Sequence, residues 1–121
     1  MSEEQIYREN ILDHNRNPHN KGTINNPTIQ HREHNPLCGD DITIYLIIED
    51  DKIKEAKFNG HGCAISQASI SMLTEELKGM PITEAKLLTK EDILEMLGIE
   101  ISYTRMRCAL LSLKVLQEGL Q

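Results

Sequence analysis

The pattern of hydrophobic and polar positions predicts two strands joined as a hairpin near the middle of the chain. Residues 42–48 are mostly β-branched or aromatic, which is typical of a strand. A second strand-like run occupies residues 53–58, and only the polar residues 49–52 separate the two runs. Because so short a link joins neighbouring strands in opposite directions, we predict an antiparallel pair.

Helical periodicity dominates most of the remaining sequence, and two of the predicted helices begin with capping boxes at Ser2 and Thr89. Helices are predicted over residues 3–15, 63–78, 83–88, 89–98 and 104–118. Residues 17–37 are rich in Asn, His and Pro, and they are interpreted as a loop or a weak edge strand. Strands followed by helices indicate an α+β domain, in which helices pack on one face of a small antiparallel sheet of about three strands.

Length and composition fit a single domain that spans residues 1–121. No apolar run approaches the roughly 18 residues of a membrane span, and no basic-then-apolar leader is present, so we expect a cytoplasmic protein. The net charge is −6 and the chain has no Trp, three Tyr and one Phe. Nucleic acid is therefore excluded as an expected partner, because binding to it depends mainly on phosphate neutralisation and base stacking.

The three cysteines, Cys38, Cys63 and Cys108, are an odd number in a chain without a secretion signal. A disulfide framework is disfavoured under those conditions, and metal binding or thiol chemistry is the better class. The alternative is that each thiol is a small buried hydrophobic group. Their sequence neighbourhoods decide between these interpretations.

The best-defined neighbourhood surrounds Cys63, which follows a predicted strand and begins a predicted helix. Gly60 and Gly62 permit a tight turn between the two elements. At that position the first-turn N–H groups and the helix dipole favour the thiolate, which is the form that binds metal and attacks sulfur.

The predicted hairpin brings further chemistry to Cys63. Cys38 and Asp40 precede the first strand, and Cys63 follows its partner, so all three should lie at one edge of the antiparallel pair. Cys108 lies at the beginning of the last helix. If that helix begins at the same end of the sheet, the four side chains form a Cys₃Asp set that suits Zn²⁺ or a [2Fe–2S] cluster.

Three other residues are candidates for a supporting role. Arg105 and Arg107 flank Cys108, and either would favour its thiolate electrostatically. The alternative for them is a solvated helix start. His61 lies between two glycines and either reaches the metal or only fits the turn. His34, near Cys38, is a weaker candidate ligand, and His14, His19 and His31 are interpreted as surface or loop residues.

In these motifs the chain resembles the scaffold proteins of iron–sulfur cluster assembly known as IscU, SufU and the N-terminal domain of NifU. The resemblance covers nearly the whole chain. It is carried by Tyr7-Arg-Glu-Asn-Ile-Leu-Asp-His14, Asn17-Pro-His-Asn-Lys-Gly22, Asn35-Pro-Leu-Cys-Gly-Asp40, Phe58-Asn-Gly-His-Gly-Cys-Ala-Ile-Ser66 and Arg105-Met-Arg-Cys-Ala-Leu110.

The resemblance implies an α+β domain with Cys38, Asp40, Cys63 and Cys108 at one exposed tip. It implies that the tip accepts sulfur from a pyridoxal-phosphate cysteine desulfurase, with Cys108 as the persulfide acceptor. It also implies that the site binds iron or zinc and holds a transient [2Fe–2S] cluster for transfer to apo-proteins. A homo-oligomer around a shared cluster is consistent with that role.

Departures from the family patterns keep alternatives open. Arg107 stands where IscU-type members usually carry a metal-ligating His, and this resembles SufU. The interval between Cys63 and Cys108 is closer in length to the corresponding interval of IscU-type members, since SufU-type members commonly carry an insertion there. The leading hypothesis is a scaffold or carrier that is not a true enzyme. The alternatives are a zinc-dependent SufU-type sulfurtransferase and a zinc-stapled interaction module without sulfur traffic.

Overall fold

The computed structural model describes residues 2–37 and 39–121 as a three-stranded sheet with helices. The strands are β1 (Ile29–Asn35), β2 (Asp40–Glu49) and β3 (Lys52–His61). The helices are α1 (Glu3–Arg16), α2 (Ala64–Leu77), α3 (Ile82–Lys86), α4 (Lys90–Leu97) and α5 (Met106–Gly119), and a 3-10 turn at Tyr103–Arg105 precedes α5. No helix in the described part of the chain is long and apolar enough to span a membrane.

The sheet has the order β1-β2-β3, and both pairs of neighbouring strands are antiparallel. Asp50 and Asp51 form the β2–β3 turn with φ angles of 53° and 61°. These left-handed angles match the right-handed twist of a tight hairpin, and Asp tolerates them better than most residues. The hairpin predicted from the sequence is confirmed, and the weak edge strand suspected within residues 17–37 is β1.

The core lies between one face of the sheet and the helices α2 and α5. Alternate β2 residues Ile42, Ile44 and Leu46 are fully buried on that face, as is Phe58 of β3. Helix α2 packs on β3, whereas α5 packs on β1 and β2. This arrangement confirms the predicted α+β class, with helices on one face of the sheet.

Helix α1 begins with the predicted capping box between Ser2 and Gln5 and packs against α2. Its buried residues are Ile11 and His14, and His14 Nδ1 lies 2.8 Å from Ser71 Oγ. The interpretation of His14 as a surface residue was therefore wrong. Because His14 follows Ile11 by three positions, the helical period puts it on the same buried stripe.

The boundaries of the later helices follow the sequence to within about two residues, and the beginnings of α3 and α5 differ for identifiable reasons. The capping box at Thr89 and the left-handed Gly98 delimit α4 as predicted. Helix α3 takes Pro81 as its N-cap rather than Thr83. The last helix begins at Met106 rather than at residue 104, because the 3-10 turn occupies the preceding residues.

Candidate metal centre

Three of the predicted site residues meet where the β1–β2 connection, the end of β3 and the beginnings of α2 and α5 come together. Asp40 is the first residue of β2, Cys63 is the N-cap of α2, and Cys108 lies in the first turn of α5. One carboxylate oxygen and the two Sγ atoms all lie within 4.8 Å of one another. The fourth predicted ligand, Cys38, lies outside the described residues and stays a prediction.

The two carboxylate oxygens of Asp40 have different surroundings. Oδ1 accepts hydrogen bonds from the Cys63 N–H at 2.8 Å and from the Ser66 hydroxyl at 3.2 Å. Oδ2 is buried and has no hydrogen-bond partner among the described residues, in a side chain that is 0% exposed. A buried carboxylate oxygen without a donor is costly, and a bound cation would remove that cost.

Two helix N-termini contribute to the electrostatics of the site. The Cys63 side chain makes no capping hydrogen bond, so its sulfur is not engaged by the helix that it begins. The positive ends of the α2 and α5 dipoles lie beside the two thiols and the carboxylate. Positive helix ends attract anionic ligands, so this arrangement suits donors that bind a metal ion.

Glycines permit the close approach of the β3–α2 loop to Asp40. A Cβ atom at Gly62 would lie 2.4 Å from Asp40 Oδ1 and 2.5 Å from Ser66 Oγ. At Gly60, φ is +133° and a Cβ atom would lie 1.9 Å from the Asp41 carbonyl oxygen. The hydrogen bonds that hold Cys63 beside Asp40 therefore require a chain without side chains at these two positions.

The site lies at the end of the sheet, as predicted, but its donors differ in accessibility. Asp40 is 0% and Cys108 1% exposed, whereas Cys63 is only partly buried. Leu37, in the connection beside the site, is 79% exposed. Among the described donors, Cys63 is therefore the one that meets solvent, whereas Asp40 and Cys108 are buried.

The geometry and chemistry of the donors fit a metal ion. A tetrahedral zinc with Zn–S bonds of about 2.3 Å holds its ligand atoms roughly 3.8 Å apart, so only a small approach is needed. Soft thiolates suit zinc and iron–sulfur species, while the carboxylate adds a hard ligand. Asp40, Cys63 and Cys108 would hold the ion, and the unpaired Asp40 Oδ2 is the observation that best supports this fit.

His61 is directed away from this group. It is the last residue of β3 and pairs with Asp41, the neighbour of Asp40. Successive strand residues point to opposite faces, so His61 and Asp41 share the face that Asp40 does not. On that face Arg32 donates to Asp41 at 2.9 Å, and this hydrogen bond lowers the pKa of Asp41. The structure does not bring His61 to the donor group.

The two arginines beside Cys108 are both exposed. Arg105 ends the 3-10 turn and is the N-cap residue of α5. Arg107 lines a cavity of about 340 Å³ between the end of β1 and α5, together with His34 and Asn35. Neither arginine belongs to the group of potential ligands in the described chain, and their effect on the Cys108 thiolate stays a prediction.

The sequence interpretation missed three residues around the donors. Ser66 binds Asp40, while Asn35 and Gln67 are buried and each has an unpaired amide nitrogen. Asn35 and Ser66 fall within the quoted motifs, but nothing in the motifs indicates their contacts. Gln67 follows Cys63 by one helical turn, which was the available clue.

A small α+β domain that gathers thiols and an unpaired carboxylate at the beginnings of two helices belongs to the class of metal- or cluster-binding scaffold domains. The particular family is the NifU-like N-terminal domain family, whose model matches residues 6–121, and the chain belongs to it.

Named relatives agree with this family. The chain is 36% identical to the zinc-dependent sulfurtransferase SufU of Bacillus subtilis, over 94% of this chain and 88% of that protein. It is also 36% identical to the iron–sulfur cluster assembly scaffold protein IscU 1 of Archaeoglobus fulgidus, over 95% of this chain and 74% of the other. A solved structure from Fervidobacterium islandicum, described as a proposed iron–sulfur cluster assembly scaffold for the SUF system, superposes with a TM-score of 0.81 at 29% identity, covering 99% of this chain and 100% of that one.

Proposed function

We propose that this protein is a scaffold for iron–sulfur cluster assembly. It receives sulfur from a cysteine desulfurase, holds a transient [2Fe–2S] cluster and transfers it to apo-proteins. The observation that carries the proposal is the group formed by Asp40, Cys63 and Cys108, in which one carboxylate oxygen has no partner. Membership of a family with IscU scaffolds supports the same function.

The ligand set suits a cargo that must be given away. Asp40 is a hard ligand, and it is a poorer match than a fourth thiolate for iron already bonded to sulfur. A cluster held partly by Asp40 should therefore leave more readily than one held by four cysteines. Cys38 completes the proposed set with Asp40, Cys63 and Cys108.

Sulfur enters by transfer between thiols. The Cys108 thiolate attacks the terminal sulfur of the desulfurase persulfide, the S–S bond of the desulfurase breaks, and its thiolate leaves. Cys108 then carries the persulfide, with no net oxidation or reduction. Because Cys108 is 1% exposed, the transfer requires that the segment around it opens when the desulfurase binds.

The alternative is a zinc-dependent sulfurtransferase of SufU type. It is favoured by the similarity to the zinc-dependent SufU and by Arg107, which occupies the position before Cys108. Zinc would stabilise the thiolates as a Lewis acid, and one of them would take sulfur from the desulfurase. Both functions use the same side chains, so the resident metal is the feature that distinguishes them.

Anaerobic purification with a metal count, followed by reconstitution with ferrous iron, cysteine and a desulfurase, tests the proposal. The scaffold function predicts a visible charge-transfer spectrum with iron and acid-labile sulfide in equal amounts. Cys38→Ser, Cys63→Ser and Cys108→Ser should each lose it.

A tightly held zinc that iron cannot replace, together with stimulation of the desulfurase, would instead establish the sulfurtransferase. If the protein shows neither metal-dependent activity nor stimulation of the desulfurase, the remaining interpretation is a zinc-stapled interaction module.

A further inference from the structure

Buried polar side-chain atoms without a hydrogen-bond partner are concentrated around one site in the described part of the chain. They are Asn35 Nδ2, Asp40 Oδ2 and Gln67 Nε2. Native proteins leave few such atoms unpaired, because each costs free energy. All three lie within one cross-strand step or one helical turn of the candidate ligands.

Asn35 lies directly opposite Asp40 in the β1–β2 pair. Residues paired in this way have Cβ atoms about 5 Å apart on the same face of the sheet. Asn35 is 7% exposed, and its Oδ1 accepts the Leu37 N–H at 3.2 Å, which fixes the amide so that Nδ2 is the unpaired end. An unpaired donor and the unpaired Asp40 Oδ2 thus lie side by side without bonding to each other.

Gln67 lies on α2, near another described donor, Cys63. It follows Cys63 by four residues on α2, so the two side chains share a helix face. Helical side chains lean towards the N-terminus, and this direction leads from Gln67 towards Cys63. Gln67 is 7% exposed, and its Nε2 donates to no atom of the described chain, including the Cys63 sulfur.

A metal ion alone satisfies only one of these three atoms. A cation accepts an electron pair from Asp40 Oδ2, but an amide N–H needs an acceptor. The thiolates of Cys63 and Cys108 do not accept these hydrogen bonds in the present arrangement. An acceptor atom that arrives with the cargo would satisfy both amides, and bound sulfide or persulfide sulfur is an acceptor of this kind.

We propose that Asn35 and Gln67 form a sulfur-binding subsite, in which their amide N–H groups donate to the sulfide or persulfide sulfur of the cargo. This inference rests on the proposed function. One amide neighbours Asp40 and the other neighbours Cys63, and N–H···S hydrogen bonds stabilise the negative charge of bound sulfur. Such hydrogen bonds also raise the reduction potential of a cluster, since the reduced form is the more negative.

The test compares wild type with Gln67→Met and Asn35→Leu, which keep approximate side-chain volume and remove the amide. The matched control is Thr74→Val. Thr74 is buried further along α2, and its hydroxyl donates to the Ile70 carbonyl at 2.9 Å. The hydroxyl also lies 2.9 Å from the Ser71 carbonyl and accepts from Asn20 Nδ2 at 3.3 Å. Thr74→Val therefore removes buried hydrogen bonds that do not involve the candidate ligands. Thermal unfolding of the apo-proteins establishes that each variant is folded.

Three quantities are measured: zinc affinity by chelator competition, the rate of loss of a reconstituted cluster to a chelator, and the midpoint potential of that cluster. We expect each amide variant to bind zinc within about threefold of wild type. Cluster loss should be about tenfold faster, the size of effect seen for groups that support a metal site, and the potential should be lower. Thr74→Val should match wild type in all three.

Unchanged cluster loss and potential in both amide variants would overturn the subsite. The subsite would also be overturned if zinc affinity fell by the same factor as cluster stability. The amides would then act by ordering the protein ligands rather than by binding sulfur. If only one of the two variants folds, its result tests whether the amide that it removes belongs to the subsite. A wild-type protein that assembles no cluster would overturn the proposed function, and this inference with it.

Discussion

Asp40 shows how one side chain combines a structural and a chemical task. Its Oδ1 accepts from the Cys63 N–H and the Ser66 hydroxyl, and so joins the beginning of β2 to the beginning of α2. Its Oδ2 remains unpaired, and one oxygen of this carboxylate lies within 4.8 Å of both thiol sulfurs. The first oxygen fixes where Cys63 lies, and the second is available to a metal ion.

Asp40→Asn separates these tasks, because the amide oxygen still accepts from the Cys63 N–H while the charge and the ligand oxygen are lost. We expect the free energy of unfolding of the apo-protein to change by no more than about 1 kcal/mol. Zinc affinity should fall by at least about 100-fold, since a ligand is removed. Urea unfolding and chelator competition measure the two quantities. Wild-type zinc affinity in Asp40→Asn would contradict the assignment of Asp40 as a ligand.

At the scale of elements, the site depends on how α2 and α5 are held together. Ser69 of α2 donates to the Ala109 carbonyl at 2.9 Å, and its oxygen lies 2.7 Å from the Ser112 hydroxyl. Both serines are fully buried. Because Ala109 directly follows Cys108, this polar contact fixes the position of Cys108 relative to the helix that begins at Cys63.

Ser69→Ala should destabilise the protein by about 1–3 kcal/mol, because the Ser112 hydroxyl becomes a buried group without its partner. The matched comparison uses Ser112→Ala and the double variant that carries both Ser69→Ala and Ser112→Ala. The double variant should lose less stability than the sum of the single changes, since the two hydroxyls bond to each other. Urea unfolding of the four proteins gives the coupling energy. Strict additivity would show that the contact contributes nothing.

The contact between α1 and α2 should make stability depend on pH. Burial, followed by the nearby His19, lowers the pKa of His14 below its usual 6.5, although Asp13 and Glu75 act in the opposite direction. The unfolded chain therefore binds the proton first as the pH falls. The contribution of His14 is complete above about pH 6.5 and is lost progressively below it.

Urea unfolding of wild type and His14→Gln between pH 5 and pH 8 measures this effect. We expect stability to decrease below about pH 6.5 in wild type and to decrease less in His14→Gln. An equal decrease in both proteins would assign the pH dependence to other groups.

At the scale of the whole molecule, the site joins segments that are distant in the sequence. Strand β2, the N-cap of α2 and the first turn of α5 each contribute one described donor, and β2, α2 and α5 also contribute to the core. A metal ion held by all three binds the folded state and has no comparable site in the unfolded chain. Metal binding and folding should therefore be coupled.

Zinc at 100 times its dissociation constant should stabilise the protein by about 2.7 kcal/mol. The protein should unfold in one cooperative transition, as expected of a single domain of this size. Thermal unfolding with zinc and with a chelator measures the shift, and Cys63→Ser is the control that should not respond. A zinc-dependent shift of equal size in Cys63→Ser would place the ion elsewhere.

Local sequence determined the elements of this protein. The β-branched run of β2, the Asp-containing hairpin and the capping boxes at Ser2 and Thr89 each act over a few residues, so their patterns could be read directly. Antiparallel pairing then brought Asp40 and Cys63 to one edge of the sheet, and the family motifs added Cys108.

Packing decided the rest, because burial and hydrogen bonding depend on contacts between distant segments. The burial of His14 against Ser71, the unpaired amides of Asn35 and Gln67, and the placement of His61 on the face opposite Asp40 were settled only in the tertiary structure.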